Sequence, residues 1–279
     1  ELNVCGEKAA GLWLNLSQEA EDNPPRLITF DPWGRRTDEL QISRAWKDLE
    51  AEVAREGIVA TAYEQEHGEW SRPLQLLKLY LFHPSSAFVS CPLAMTDGAA
   101  RCLQKLGTTQ LKSEVLPHLI SRDPNSFWTS GQWMTEKTGG SDVSRTETVA
   151  TLRQGQQGES GQFQISGVKW FTSATHSQVA MLLAKIEGSQ GLSLFCVETH
   201  DKSGKLKDIE ILRLKDKLGT KAMPTAELEL KNISGTLLGE VGHGVKNIST
   251  ILNITRIYNS VCATGHFRRG LDLLKNYSQ

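Results

Sequence analysis

The sequence has no apolar run near the roughly 18 residues that a membrane-crossing helix requires, so no membrane span is predicted. It has no excess of one charge either. Thirty-one Lys and Arg face 32 Asp and Glu, for a formal net charge of −1. Global charge therefore gives no reason to expect a nucleic acid or an anionic membrane as partner. There is no CxxC pair. The five cysteines, Cys5, Cys91, Cys102, Cys196 and Cys262, are scattered and odd in number. That fits reduced, mostly buried thiols in an intracellular protein better than a disulfide framework or a zinc site, and no metal is expected. Mitochondrial and cytoplasmic placement are not distinguished. No internal repeat or low-complexity segment occurs. The first residue is Glu1 rather than Met, so the lack of a leader excludes nothing. Sequons at Asn15, Asn232, Asn247, Asn253 and Asn276 read as coincidences of composition.

What is present is an ordinary globular balance: 279 residues, 39% hydrophobic and 23% charged. This is enough for one large domain or two ordinary ones. Residues 1–20 read as one helix, broken by Asn23-Pro24-Pro25. Asp31-Pro32-Trp33-Gly34 is a turn signal. Apolar spacing near 3.6 predicts helices at about 42–57, 71–82, 92–106 and 109–120. Gly57 and Gly107 stand where helices stop, and Thr108 where the next is capped. Asp123-Pro124-Asn125 closes this helical part.

After residue 126 the period changes. Val179 to Ile186 is almost continuously apolar. Leu192, Leu194 and Cys196 alternate with Ser193 and Phe195, in a run that reads as buried on both faces. Leu228 and Leu230 alternate with Glu227 and Glu229, as in a half-buried strand. Hairpin signals stand at Gln156-Gln157-Gly158, Gly188 and Lys202-Ser203-Gly204. We expect antiparallel β-structure of about seven or eight strands. From Gly244 the helical period returns for more than thirty residues, and a helix that long needs a partner along its length. The ending at Tyr277-Ser278-Gln279, with no cap, reads as a truncation.

Four motifs carry chemistry. In Gln132-Trp133-Met134-Thr135-Glu136-Lys137-Thr138-Gly139-Gly140-Ser141-Asp142 a strand delivers the Thr135 hydroxyl into a Gly-Gly turn followed by the Ser141 hydroxyl. Glycines such as Gly140 let backbone N–H groups approach an anionic or planar ligand. A polar β-turn is the plain alternative. In Gly167-Val168-Lys169-Trp170-Phe171-Thr172-Ser173 the indole and the Thr172 hydroxyl, two residues apart, are expected on one strand face beside a flat cofactor. An ordinary core Trp is the plain alternative. Arg213-Leu214-Lys215-Asp216-Lys217-Leu218-Gly219 also reads as a solvated loop. Asn253-Ile254-Thr255-Arg256 also reads as an exposed helical turn.

In this order and spacing the four motifs resemble the acyl-CoA dehydrogenase family. Its first signature is similar to Met134-Thr135-Glu136 through Gly140-Ser141-Asp142, and its second to Trp170-Phe171-Thr172. Asn23-Pro24-Pro25, Gly34-Arg35-Arg36 and the Arg213–Gly219 run resemble its AidB-like branch. The resemblance covers essentially the whole chain. It implies an α+β fold with three parts: an amino-terminal helical domain (1–126), a middle antiparallel β-barrel or sandwich (127–240), and the first long helix of a carboxy-terminal bundle (241–279). It also implies FAD as cofactor and a fatty acyl-CoA as substrate. Met134 and Thr135 would meet the isoalloxazine ring, with Gln132 and Gly140 in the same cofactor-binding set. Ser141 would lie by the FAD pyrophosphate and the CoA part of the substrate. Trp170, Phe171 and Thr172 would line the flavin, with Thr172 near its reactive face. Thr255 and Arg256 would touch acyl-CoA.

There are departures. Lys137 stands where the family usually has Pro. Asn253 and Ile254 precede Thr255-Arg256 where a charge is common. Lys221 replaces an arginine. These bear on CoA contacts and chain length more than on flavin binding.

The implied reaction removes an α-proton to a carboxylate and a β-hydrogen to the flavin. In the family that carboxylate usually sits in a carboxy-terminal helical domain, outside this chain; some members instead carry it on the long helix, at the position aligned with Thr255, which cannot act as the base. No catalytic base is assigned in this chain, and Glu64, Glu66 and His67 read as a solvated face. Two readings remain. One is an FAD-dependent acyl-CoA dehydrogenase. The other is a non-catalytic acyl-CoA binder or a flavoprotein protective against nucleic-acid damage. A homo-oligomer is expected of the full-length protein, and the electron acceptor is not set.

Overall fold

The computed structural model describes residues 1–153 and 162–279. The hairpin signal at Gln156-Gln157-Gly158 lies outside the described residues. The helix predicted over residues 1–20 is two helices, Leu2–Ala10 (α1) and Leu12–Asp22 (α2). Gly11, at φ −128 and ψ −94, leaves helical geometry between them, as a poor helix former does readily. The break lets α1 pack on the later helix Ser71–Phe82 and α2 on Arg44–Arg55.

Asn23-Pro24-Pro25 ends α2, and the chain turns into a hairpin, Arg26–Phe30 (β1) and Arg36–Gln41 (β2). The Asp31 carboxylate closes its turn by accepting from the backbone N–H groups of Trp33 and Arg35, both at 2.9 Å. The first 126 residues are therefore not helical throughout. The hairpin docks on a distant strand: the backbone N–H of Ile211 donates to Asp38 at 3.0 Å, and Arg36 donates to the Ile211 carbonyl at 2.8 Å.

Helices Arg44–Arg55 (α3), Thr61–Glu64 (α4), Ser71–Phe82 (α5), Ser90–Leu106 (α6), Thr109–Glu114 (α7) and Leu116–Leu119 (α8) follow. Ser43 caps α3 by accepting from Trp46 N–H, and Thr108 caps α7 by accepting from Leu111 N–H. The single helix predicted over 109–120 divides at Val115, just before Pro117, which has no N–H to continue the ladder.

The strands are Ser130–Trp133 (β3), Val149–Leu152 (β4), Gln162–Ser173 (β5), Val179–Ile186 (β6), Ser193–Glu198 (β7), Ile209–Leu214 (β8) and Thr225–Leu238 (β9). Among the described residues they form one sheet in the order β3-β6-β4-β5-β9-β7, with β8 on β9. Because β6 also pairs with β7, the strands β6-β4-β5-β9-β7 close into a ring. The sheet is mixed rather than purely antiparallel, since β3 and β4 both run parallel to β6.

The continuous apolar run of β6 has a direct cause. Ala180, Leu182 and Ala184 face the interior of the ring, with Trp133, Ile165 and Phe195, while Val179, Met181 and Leu183 face the helices. Both faces are buried, so alternation disappears. The last helix, Gly244–Tyr277 (α9), packs on α5 and α6. Gly98 of α6 permits that crossing: a Cβ there would lie 2.5 Å from Ile251 Cγ2 and 3.0 Å from Ile251 Cα. This contact sets where Thr255 stands.

Candidate functional site

Two tight pieces of backbone bring the first two motifs together. After β3 the chain turns back at Glu136–Gly139, whose backbone groups exchange hydrogen bonds of 3.0 and 3.2 Å. A Cβ on Gly140 would press within 3.1 Å of Thr135 Cγ2, and one on Gly139 would run into the Asp142 carbonyl. Position 139 admits only glycine, and position 140 is tight for any side chain. Trp170 N–H then donates to the Thr135 carbonyl at 2.9 Å, tying the second motif to the first.

A buried ion pair lies beneath them. Lys169 Nζ meets Glu136 Oε1 at 2.6 Å, with 0% and 4% of the two side chains exposed. Lys169 also donates to the Leu183 carbonyl, and Glu136 accepts from Thr148 Oγ1 and Glu147 N–H. Burial alone would raise the Glu136 pKa. The Lys169 charge and these donors outweigh it and hold the carboxyl below its usual range.

The indole and the hydroxyl of the second motif do not share a face, contrary to the two-residue spacing. In β5, Lys169 pairs with Leu228 and Thr172 with Ala226, so Trp170 and Phe171 together oppose the single residue Glu227. The bulge turns Phe171 outward, 45% exposed, with Trp170 half-buried. Thr172 turns inward and is fully buried, its hydroxyl donating to the Ala226 carbonyl at 2.8 Å. Three cations surround the Trp170 ring. Lys215 Nζ lies 3.4 Å from its centroid, and Lys137 Nζ and Arg213 Cζ each lie 5.7 Å away. Arg213 and Lys215 share the Glu227 carboxylate, so the surroundings of the indole keep a positive balance.

Between α6, α9 and this outer face lies a cavity of about 440 Å³. Gln132 and Phe171 enter it from the sheet, Met95 and Ala94 from α6, and Thr255 and Asn259 from α9. Of the residues singled out in the sequence, Gln132, Phe171 and Thr255 line this cavity; Met134, Thr135, Gly140, Ser141, Trp170, Thr172 and Arg256 stand outside the lining. Gln132 donates to Met134 Sδ at 3.0 Å. Ser141 is exposed. Arg256 is exposed too, and donates to Asn253 Oδ1 on its own helix. Thr255 Oγ1 donates to the Leu252 carbonyl at 2.9 Å. Glu64 pairs with Arg122, outside the lining.

Sequence reasoning missed Lys169, His83 and Ser90. Lys169 was visible as a charge on the inward phase of β5 after Phe163 and Ile165. His83 and Ser90, which also line the cavity, carried no pattern.

The donor set fits FAD. Phe171 offers flat apolar surface and Met134 adaptable apolar surface, and the Thr135 hydroxyl and the Gly139–Gly140 cradle offer close polar contact. Lys137, Arg213 and Lys215 supply positive charge suited to a pyrophosphate.

Residues 1–125 match the family described as "Adaptive response protein AidB N-terminal domain", and residues 131–233 match "Acyl-CoA dehydrogenase, middle domain". The chain is 43% identical to "Acyl-CoA dehydrogenase family member 11" of Caenorhabditis elegans, over all of this chain and 46% of the relative. It is 30% identical to "Putative acyl-CoA dehydrogenase AidB" of Escherichia coli (strain K12), over 93% of this chain and 48% of the relative. The chain thus spans about half the length of these curated relatives. The C. elegans protein in complex with C11-CoA superposes with a TM-score of 0.91 at 42% identity, covering 98% of this chain and 47% of that one. The structure described as "Bd2924 apo-form" gives 0.93 at 55% identity, covering 97% and 55%.

Proposed function

The chain belongs to the acyl-CoA dehydrogenase family, and on that premise we propose that it binds FAD and a fatty acyl-CoA for α,β-dehydrogenation of the thioester. The observation that carries this reading is the cavity in which Phe171 and Gln132 of the signature strands face Thr255 across a largely apolar space. The bound flavin supplies the two-electron acceptor.

The residues of this chain bind and orient. The Gly139–Gly140 cradle and Thr135 would hold the cofactor, and Lys137, Arg213 and Lys215 would supply charge for its phosphates. Ala94 and Met95 of α6 and Ala263 of α9 give the acyl chain apolar contact, and its carbons would lie between Phe171 and Thr255. Arg256, one position outward from Thr255, meets the CoA part with its fixed fork of donors.

Proton removal is assigned to none of these groups. No carboxylate lines the cavity among the described residues, and the Thr255 hydroxyl is committed to its own helix. Thr255, standing where some family members carry that carboxylate, favours a second reading, a flavoprotein that binds acyl-CoA without oxidising it.

Anaerobic titration of the FAD-loaded chain with acyl-CoAs of increasing length tests both. We expect a shift of the oxidised-flavin spectrum without bleaching. Thr255→Glu, which places a carboxylate at the family's alternative base position, is expected to add slow bleaching. No spectral shift at any length would sink the binding reading. A shift with no bleaching, even from Thr255→Glu, would favour the non-catalytic one.

A further inference from the structure

The same cavity also carries a buried imidazole and hydroxyl. His83, in the short turn 83–85 after α5, and Ser90, the first residue of α6, both line it, with 5% and 3% of each residue exposed. His83 Nδ1 and Ser90 Oγ are 2.6 Å apart. His83 Nε2 makes no hydrogen bond among the described residues, and the His266 ring stands edge-on at 4.3 Å. Ser90 also faces the Cys262 thiol. Apolar side chains that share the lining are Phe88, Ala94, Met95 and Ala263, with Asn259 and Ser173 as further polar groups.

The place of the pair along the cavity follows from α9. Thr255 and Cys262 both line the space, and seven residues of helix separate them by roughly 10 Å. On the functional reading above, the carbons that react lie at Thr255. The imidazole and hydroxyl are then met several carbons further along the acyl chain.

We propose that this pocket selects acyl chains that carry a neutral hydrogen-bonding group, a hydroxyl or a keto oxygen, toward their far end, and that His83 and Ser90 recognise it. This rests on the acyl-CoA reading. An alkyl chain would bury the remaining capacity of the imidazole and hydroxyl against methylenes, at the cost of their desolvation. A chain oxygen at that depth satisfies it. Burial, and then the neighbouring His266, push the His83 pKa down to about 4, so the ring is neutral at physiological pH. The end of the pocket therefore offers no cation to a terminal carboxylate, which separates this class from dicarboxylic acyl groups.

The test is calorimetry on the FAD-loaded protein with acyl-CoAs of eight to twelve carbons. Each would be compared as the plain chain, the (ω−1)-keto or (ω−1)-hydroxy chain, and the ω-carboxylate. At the best-fitting length the keto or hydroxy chain is expected to bind roughly tenfold tighter than the plain one, about the worth of one hydrogen bond. The carboxylate is expected to bind weakest. Ser90→Ala and His83→Phe should each erase the preference. Ser90→Ala, being isosteric and small, keeps the comparison available if the larger replacement fails to fold. Plain chains binding as tightly as oxygenated ones at every length would overturn the proposal, as would a preference that survives in Ser90→Ala. Absence of binding by every acyl-CoA is a different result, and would overturn the functional reading itself.

Discussion

Lys169 and Glu136 show how one buried contact supports both signatures. Their ion pair sits directly beneath the cradle and the bulge, and both partners are buried. Removing one partner leaves an uncompensated charge in the core, at a cost of about 3–5 kcal/mol. Lys169→Met should therefore lower the denaturation midpoint strongly, and the double variant Lys169→Met/Glu136→Gln should recover most of the loss. Equal midpoints for the single and double variants in a urea titration would show that the pair does not act as a unit. His83 has a pH signature. Its folded pKa of about 4 lies below the ordinary 6.5, so the unfolded chain takes the proton first as pH falls. The resulting penalty is absent above about pH 6.5, grows between 6.5 and 4, and levels off below, near 3 kcal/mol in total. His83→Asn should flatten the fall of the melting temperature over that window. An unchanged slope would mean that other groups dominate it.

At the scale of elements, the site depends on how α9 crosses α6. Gly98 leaves no room for a methyl group against Ile251, so Gly98→Ala should force the helices apart and cost about 1–3 kcal/mol, the usual range for overpacking. The cavity is lined from both helices, so acyl-CoA affinity should fall together with stability. Ile251→Ala added to Gly98→Ala should remove the sharpest contact, with Cγ2, and recover part of the loss, the approach to Cα remaining. Thermal melts and ligand titrations of the two variants would check this, and Gly98→Ala with wild-type stability would contradict it. The β5 bulge acts at the same scale. One extra residue between Lys169 and Thr172 puts Phe171 on the cavity face and Thr172 in the interior, an arrangement that strict alternation does not contain.

At the scale of the whole molecule, α9 carries apolar side chains that no described residue covers. Phe267 is 81% exposed, Leu273 62%, Leu274 67% and Tyr277 93%. Faces of this kind drive association. The chain should self-associate with rising concentration in sedimentation velocity, and Phe267→Ser/Leu274→Lys should shift it toward monomer. A monomer at all concentrations before substitution would refute this. Local pattern by itself determined most of the helices, the doubly buried β6 and the long α9, because hydrophobic period and capping residues act over neighbouring positions. Motif order determined the family and pointed to Gln132, Phe171 and Thr255. Only the tertiary structure decided the rest: the β1–β2 hairpin docked on β8, the ring closed through β6 and β7, the inward turn of Thr172, the Glu136–Lys169 pair, and the meeting of His83 with Ser90 beside α9. Most of these depend on groups far apart in sequence whose burial and hydrogen bonding are settled together, and even His83 and Ser90, seven residues apart, meet across a turn that no local period encodes.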